Sequence, residues 1–93
     1  MINRSSKGRR NEYRSIKLLE AMGYSCIRSA ASKGIFDVIG LSGTDIVALQ
    51  VKTNAWPGSL EMEQLKLAVV PPNCRKLVHL WKDRLSMPVV KEL

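Results

Sequence analysis

Four residues with reactive or ligating side chains stand where the hydrophobic pattern calls for apolar ones: Glu12, Asp37, Gln50 and Lys52. Glu12 lies in a stretch of helical period, about 40° around the axis from Ile16 and about 20° from Leu19. Its carboxylate therefore points along the apolar stripe and needs a partner, a cation or a metal. Asp37 interrupts Ile35, Phe36, Val38 and Ile39, a setting that disfavours aspartate. Gln50 and Lys52, two apart, emerge on one face of a strand whose other face carries Val47, Leu49 and Val51. Each has an ordinary structural explanation when taken alone. Glu12 can lie along Arg9 or Arg10, Asp37 can bond a backbone amide or an arginine, and Gln50 and Lys52 can mark where a buried strand surfaces.

Taken together the four positions converge. An acid ahead of a hairpin and a polar-x-Lys pair behind it come side by side if the two strands pair antiparallel. Asp37, Gln50 and Lys52 then share a face, and a first helix packed over that face brings Glu12 to the same place. Two carboxylates, an amide oxygen and the Val51 carbonyl form an oxygen-rich set suited to Mg2+ or Mn2+ rather than zinc. Beside such an ion, Lys52 can orient or deprotonate a water, or stabilise a phosphate under attack.

The elements that must position these residues are legible from patterning. Ser5 or Ser6 is a candidate cap for a helix running to about Met22, where Gly23 stops it, with Ile16, Leu19 and Met22 as its apolar face and Tyr13 and Leu18 flanking. Residues 24–29 read as a short strand, followed by a small polar loop to Gly34 that carries Lys33. Two apolar-rich strands, 35–41 and 45–52, are joined by Ser42-Gly43-Thr44, a hairpin signal. After the loop 54–58, Ser59 is a candidate cap for a second helix with Glu61 and Glu63 in its first turn, closed by Pro71-Pro72-Asn73. Two strands follow, 75–81 and about 87–91, with a turn near Asp83; Pro88 suits an edge strand. The order is α-β-β-β-α-β-β, a mixed α/β domain with two helices on a sheet.

Composition narrows the function classes. Ninety-three residues with 45% apolar content suffice for one core, so a single domain spanning 1–93 is expected. The net charge of +7 is concentrated early: Arg4, Lys7, Arg9, Arg10, Arg14 and Lys17 face only Glu12 within the first 17 residues. That run is either a solvated face or a track for a polyanion, with nucleic acid the leading partner. A membrane surface is disfavoured because the helix needs its apolar face for the core. Cys26 and Cys74 are too few for a disulfide framework and wrongly spaced for zinc, which points to a reducing, cytoplasmic setting. No apolar run approaches the ~18 residues of a membrane span, and no hydrophobic segment follows the first charges as in a secretory signal. In a late strand, His79 reads as structural or surface and Trp81 as a core or dimer contact.

The strings Gly8-x-x-x-Glu12, Gly34-Ile35-Phe36-Asp37-Val38 and Gln50-Val51-Lys52 resemble the PD-(D/E)XK nucleases. Within that superfamily the likeness is to archaeal and phage Holliday-junction resolvases, with stand-alone VRR-NUC nucleases next. It covers roughly residues 5–70. The resemblance implies a restriction-endonuclease-like αβββαβ core, a central mixed sheet flanked by helices. It further implies Mg2+, with Mn2+ as substitute, held by Glu12, Asp37, Gln50 and the Val51 carbonyl, and Lys52 assisting the attacking water. Arg28-Ser29 resembles the resolvase pattern in which an arginine and a serine serve the site. Lys7, Arg9, Arg10, Arg14, Arg28, Ser29 and Lys33 are thereby expected to contact DNA. One departure stands out: the family usually carries Glu or Asp where this chain has Gln50, which leaves two carboxylates instead of three.

The function expected is a metal-dependent endonuclease for branched DNA, which the resemblance implies leaves 5′-phosphate and 3′-hydroxyl ends. Two other readings use the same residues: a DNA-binding module that has lost efficient cutting through Gln50, and a nuclease subunit that needs a partner. Two opposed nicks in a junction favour a two-fold homodimer, for which the strand 77–81 and the segment 87–90 offer apolar material.

Overall fold

The computed structural model describes residues 4–29 and 34–93, with side chains of the first helix from Lys7 onward. Lys33, expected in the loop before the hairpin, lies outside the described residues. The elements are α1 (Arg4–Ala21), β1 (Ser25–Arg28), β2 (Val38–Leu41), β3 (Ile46–Thr53), α2 (Ser59–Leu67), β4 (Cys74–Trp81) and β5 (Val89–Glu92). The strands form one mixed sheet in the order β1-β2-β3-β4-β5, antiparallel except for the β3–β4 pair. The expected element order and the α/β class are both present.

The ends of the elements have local causes. α1 already includes Ser5 and Ser6, so neither caps it. It stops at Gly23, whose φ of 98° is left-handed; Gly23 N–H donates to Glu20 O and Tyr24 N–H to Leu19 O, closing the last turn. α2 starts on Gly58 with no side-chain cap, and Ser59 is its first helical residue rather than the cap. It ends before Pro71: the Lys76 ammonium spends its three donors on the carbonyls of Leu65, Lys66 and Ala68, at 3.0, 2.6 and 2.9 Å. In the β2–β3 turn the Ser42 hydroxyl donates to Asp45 and accepts the Thr44 and Asp45 amides.

The two helices lie on opposite faces of the sheet. Leu19 and Tyr24 join Val38, Val47, Leu49, Val51, Leu77 and Trp81 in the core beneath α1. A Cβ at Gly40 would meet Tyr24 at 3.4 Å and Leu19 at 3.5 Å, so glycine there lets the helix end approach β2. The register sets Ala48, Gln50 and Lys52 beside Lys76, Val78 and Leu80 on the opposite face, where the Lys76 and Lys52 contacts to α2 also lie.

The inward stripe of α1 differs from the apolar face expected. Asn11, Ser15 and Leu19 are its buried positions, while Tyr13 and Met22 are exposed, Met22 at 66%. The two polar residues are buried because they are bonded. Asn11 Nδ2 donates to Thr53 Oγ1 at 2.8 Å; the Ser15 hydroxyl accepts Trp81 Nε1 at 2.8 Å and lies 2.9 Å from His79 Nδ1. Of the expected alternatives, His79 is therefore structural and Trp81 a core residue.

Candidate metal and nucleic-acid site

The candidate site sits where β2 begins and β3 ends. Asp37 does not belong to a strand: it immediately precedes β2. Three backbone bonds fix it, since its N–H donates to Leu49 O and its C=O accepts Ser29 N–H, both at 2.8 Å, and its Oδ2 accepts Val51 N–H at 2.8 Å. The N–H and C=O of one strand residue point to the same edge, so the Val51 carbonyl faces the Asp37 side as well. Asp37 and Val51 therefore come together, whereas the spacing predicts Asp37 within reach of the Gln50 and Lys52 side chains.

Gln50 and Lys52 project from β3 toward α2. Gln50 is 8% exposed, its Nε2 donates to Glu61 Oε2 at 3.4 Å, and its Oε1 is buried with no partner. Lys52 Nζ donates to Glu61 Oε1 at 3.2 Å. Glu61 was legible only as a first-turn acid of α2. Its contact with both β3 residues comes from the crossover that carries α2 back over the sheet, which no local pattern encodes.

Glu12 reaches the site differently from the sequence expectation. α1 covers the Val47, Leu49 and Val51 face, not the face of Gln50 and Lys52. Glu12 hence approaches from across the sheet, at the end where β2 has not yet begun. Its partner is neither Arg9 nor Arg10 but Arg28 on β1, whose Nη1 donates to Glu12 Oε1 at 2.8 Å. The Arg28 guanidinium also lies 5.0 Å from the Tyr13 ring centroid, and Glu12 holds its pKa above the ordinary arginine value.

Charge is crowded around Asp37. Burial pushes its carboxyl above the usual aspartate range, and the Val51 N–H opposes that shift; Glu12 and Glu61 push it further up while Lys52 pulls it down. Both glutamates, on opposite faces of the sheet, thus act on one aspartate. Among the described residues no three His, Cys, Asp or Glu side chains converge closely enough to hold an ion; Glu12 is paired with Arg28 and Glu61 with Lys52. The donors that do fit a hard divalent cation are Asp37, the Val51 carbonyl and Gln50 Oε1, the last a buried acceptor lacking any donor.

The basic residues divide. Lys7, Arg10 and Arg14 line a cavity of about 240 Å³ together with Trp81, Lys82 and Arg84. Arg14 stacks 3.9 Å from the Trp81 ring centroid and donates to Asn11 Oδ1; Lys7 pairs with Asp83 at 2.7 Å. Arg9 is exposed and outside the cavity. Arg28 is engaged by Glu12, and Ser29 by the Asp37 carbonyl. Sequence reasoning missed Lys82 and Arg84. Parallel pairing of β3 and β4 sets Thr53 beside Trp81, so the turn after β4 emerges at the same sheet end as Lys52, where open α/β sheets bind ligands.

No protein-family model and no curated protein matches this chain. Among solved structures it is similar to Archaeoglobus fulgidus Hjc, a Holliday junction resolvase from an archaeal hyperthermophile. The two share 25% identity and superpose with a TM-score of 0.67, over 94% of this chain and 71% of that one. The likeness to archaeal resolvases drawn from the motifs is therefore present in the fold as well.

Proposed function

We propose that this chain is a metal-dependent endonuclease for branched DNA, acting as a Holliday-junction resolvase. The observation that carries the reading is Gln50 Oε1, a buried acceptor without a donor one residue before Val51, whose N–H fixes the Asp37 carboxylate, in a fold shared with a resolvase. Asp37, Gln50 and the Val51 carbonyl are the residues that would hold Mg2+ or Mn2+, with Glu12 joining them on release from Arg28. A cation bound there supplies Lewis acidity and lowers the pKa of an attacking water.

The chain's own residues do the rest. Val51 N–H holds Asp37 in one orientation, and Glu61 holds the Gln50 amide. Lys52 offers a movable positive charge to a phosphate in which negative charge builds up. The cavity lined by Lys7, Arg10, Arg14, Lys82 and Arg84 suits the backbone phosphates that flank the scissile one. Cation-dependent nicking of a four-way junction, lost in Asp37→Ala, is the direct test.

A second reading, a DNA-binding module with weak cutting, is favoured by one observation: ion pairs with Arg28 and Lys52 occupy Glu12 and Glu61. Junction binding without nicking at any cation concentration would select it.

Two opposed cuts call for two sites, so we also propose a two-fold homodimer. β4 cannot supply the interface expected from Leu77 to Trp81, because β4 lies between β3 and β5 and those residues are buried. The apolar surface that supports the proposal is at the edge: Val89 and Val90 of β5 are exposed, as are Met22 and Met87, which line one hollow with Val90.

A further inference from the structure

The position on β3 where the likeness expects a third acid carries Gln50, yet a carboxylate stands against it. Glu61, in the first turn of α2, accepts Gln50 Nε2 on one oxygen and Lys52 Nζ on the other. Among the described residues it is the acid that touches both. Its side chain is 38% exposed, so a cation arriving from solvent can reach it. By taking the nitrogen end of the Gln50 amide, Glu61 leaves Oε1 without a donor, and that oxygen is buried. Gln50 itself is more than nine-tenths buried.

We propose that Glu61 supplies the carboxylate that β3 lacks, so that the cation site is built from Asp37 just before β2, Gln50 on β3 and Glu61 on α2. This rests on the metal-dependent reading above. Glu61 then has two tasks: it contributes negative charge, and it presents Gln50 Oε1 as a neutral ligand. Lys52 and a divalent cation compete for the same carboxylate. Cation entry thereby releases the Lys52 ammonium for a phosphate, coupling the assembly of the site to the freeing of its cationic residue. Glu63, two positions on and exposed, makes no hydrogen bond or ion pair with Gln50 or Lys52.

Titration calorimetry of the full chain with Mn2+ tests this without any cleavage. Glu61→Gln keeps an acceptor for Gln50 Nε2 and removes only the charge, so a purely structural Glu61 would leave affinity unchanged. The proposal expects Glu61→Gln to weaken Mn2+ binding by about 10- to 100-fold, with Glu63→Gln like the parent. It also expects the exchange Gln50→Glu with Glu61→Gln to recover most of the loss. If Glu61→Gln binds Mn2+ like the parent while Asp37→Asn does not, Glu61 is no ligand and the metal-dependent reading survives. If Asp37→Asn also leaves binding unchanged, or the parent binds no Mn2+, both fail.

Discussion

Asp37 Oδ2 and the backbone N–H of Val51 meet at 2.8 Å, and this one bond ties the start of β2 to the end of β3. It also gives Asp37 two roles that substitution can separate. Asp37→Asn retains an oxygen for the Val51 N–H, whereas Asp37→Ala leaves that amide without its acceptor, at about 1–3 kcal/mol. Denaturant midpoints should therefore fall for Asp37→Ala and stay near the parent for Asp37→Asn, while both lose cation binding. Equal stability of the two variants would mean that the bond contributes nothing to the fold.

DNA affinity should fall steeply with salt, with a slope of about −0.9 per phosphate contacted. The cavity residues refine which side chains matter: Arg10→Ala and Lys82→Ala should each flatten the slope by about one unit. Arg9→Ala, outside the cavity, should change it less. Fluorescence anisotropy across a salt series measures this, and a flat slope in the parent would contradict the nucleic-acid reading.

Burial depresses the His79 pKa to about 4, and the ring is only 4% exposed beside Ser15. A histidine lowered in the folded state binds fewer protons folded than unfolded. Stability is thus complete above the unfolded pKa of about 6.5 and declines as pH falls toward 4, by up to about 3 kcal/mol. His79→Asn, which can still bond Ser15, should flatten the stability profile between pH 6.5 and 4. Unaltered pH dependence in that variant would mean the ring is protonated in the fold.

The exposed edge beside β5 makes a distinct prediction for assembly. Light scattering at micromolar concentration should give twice the 10.4 kDa chain mass, and Val90→Lys should return the protein to a monomer. A parent that stays at the single-chain mass, with or without junction DNA, would remove the dimer.

Local signals in the sequence held at the turns but not at the helix starts, where Ser5, Ser6 and Ser59 lie inside the helices instead of capping them. Gly23 ends α1 because only a left-handed residue closes that turn, and Ser42-Gly43-Thr44 makes the hairpin because the Ser42 hydroxyl satisfies the turn amides. The hairpin then bonds Asp37 to the Val51 N–H, where the spacing predicts reach to Gln50 and Lys52. What periodicity misread was the face of α1. Asn11 and Ser15 are buried because Thr53, His79 and Trp81 bond them from strands far along the chain, and a hydrophobic count sees such residues only as polar. The same blindness placed α1 over the wrong face of β3 and hid Glu61, Lys82 and Arg84, whose positions follow from the β3–α2–β4 crossover.

The central claim is a cation-dependent cut in branched DNA directed by Asp37. Incubating an end-labelled four-way junction with the parent and with Asp37→Asn, in Mn2+ and in chelator, measures it on one denaturing gel. The account predicts discrete nicks bearing 5′-phosphate, produced by the parent in Mn2+ alone and absent with Asp37→Asn even where that variant still binds the junction. An intact junction with the parent in Mn2+, or equal nicking by Asp37→Asn, would contradict it.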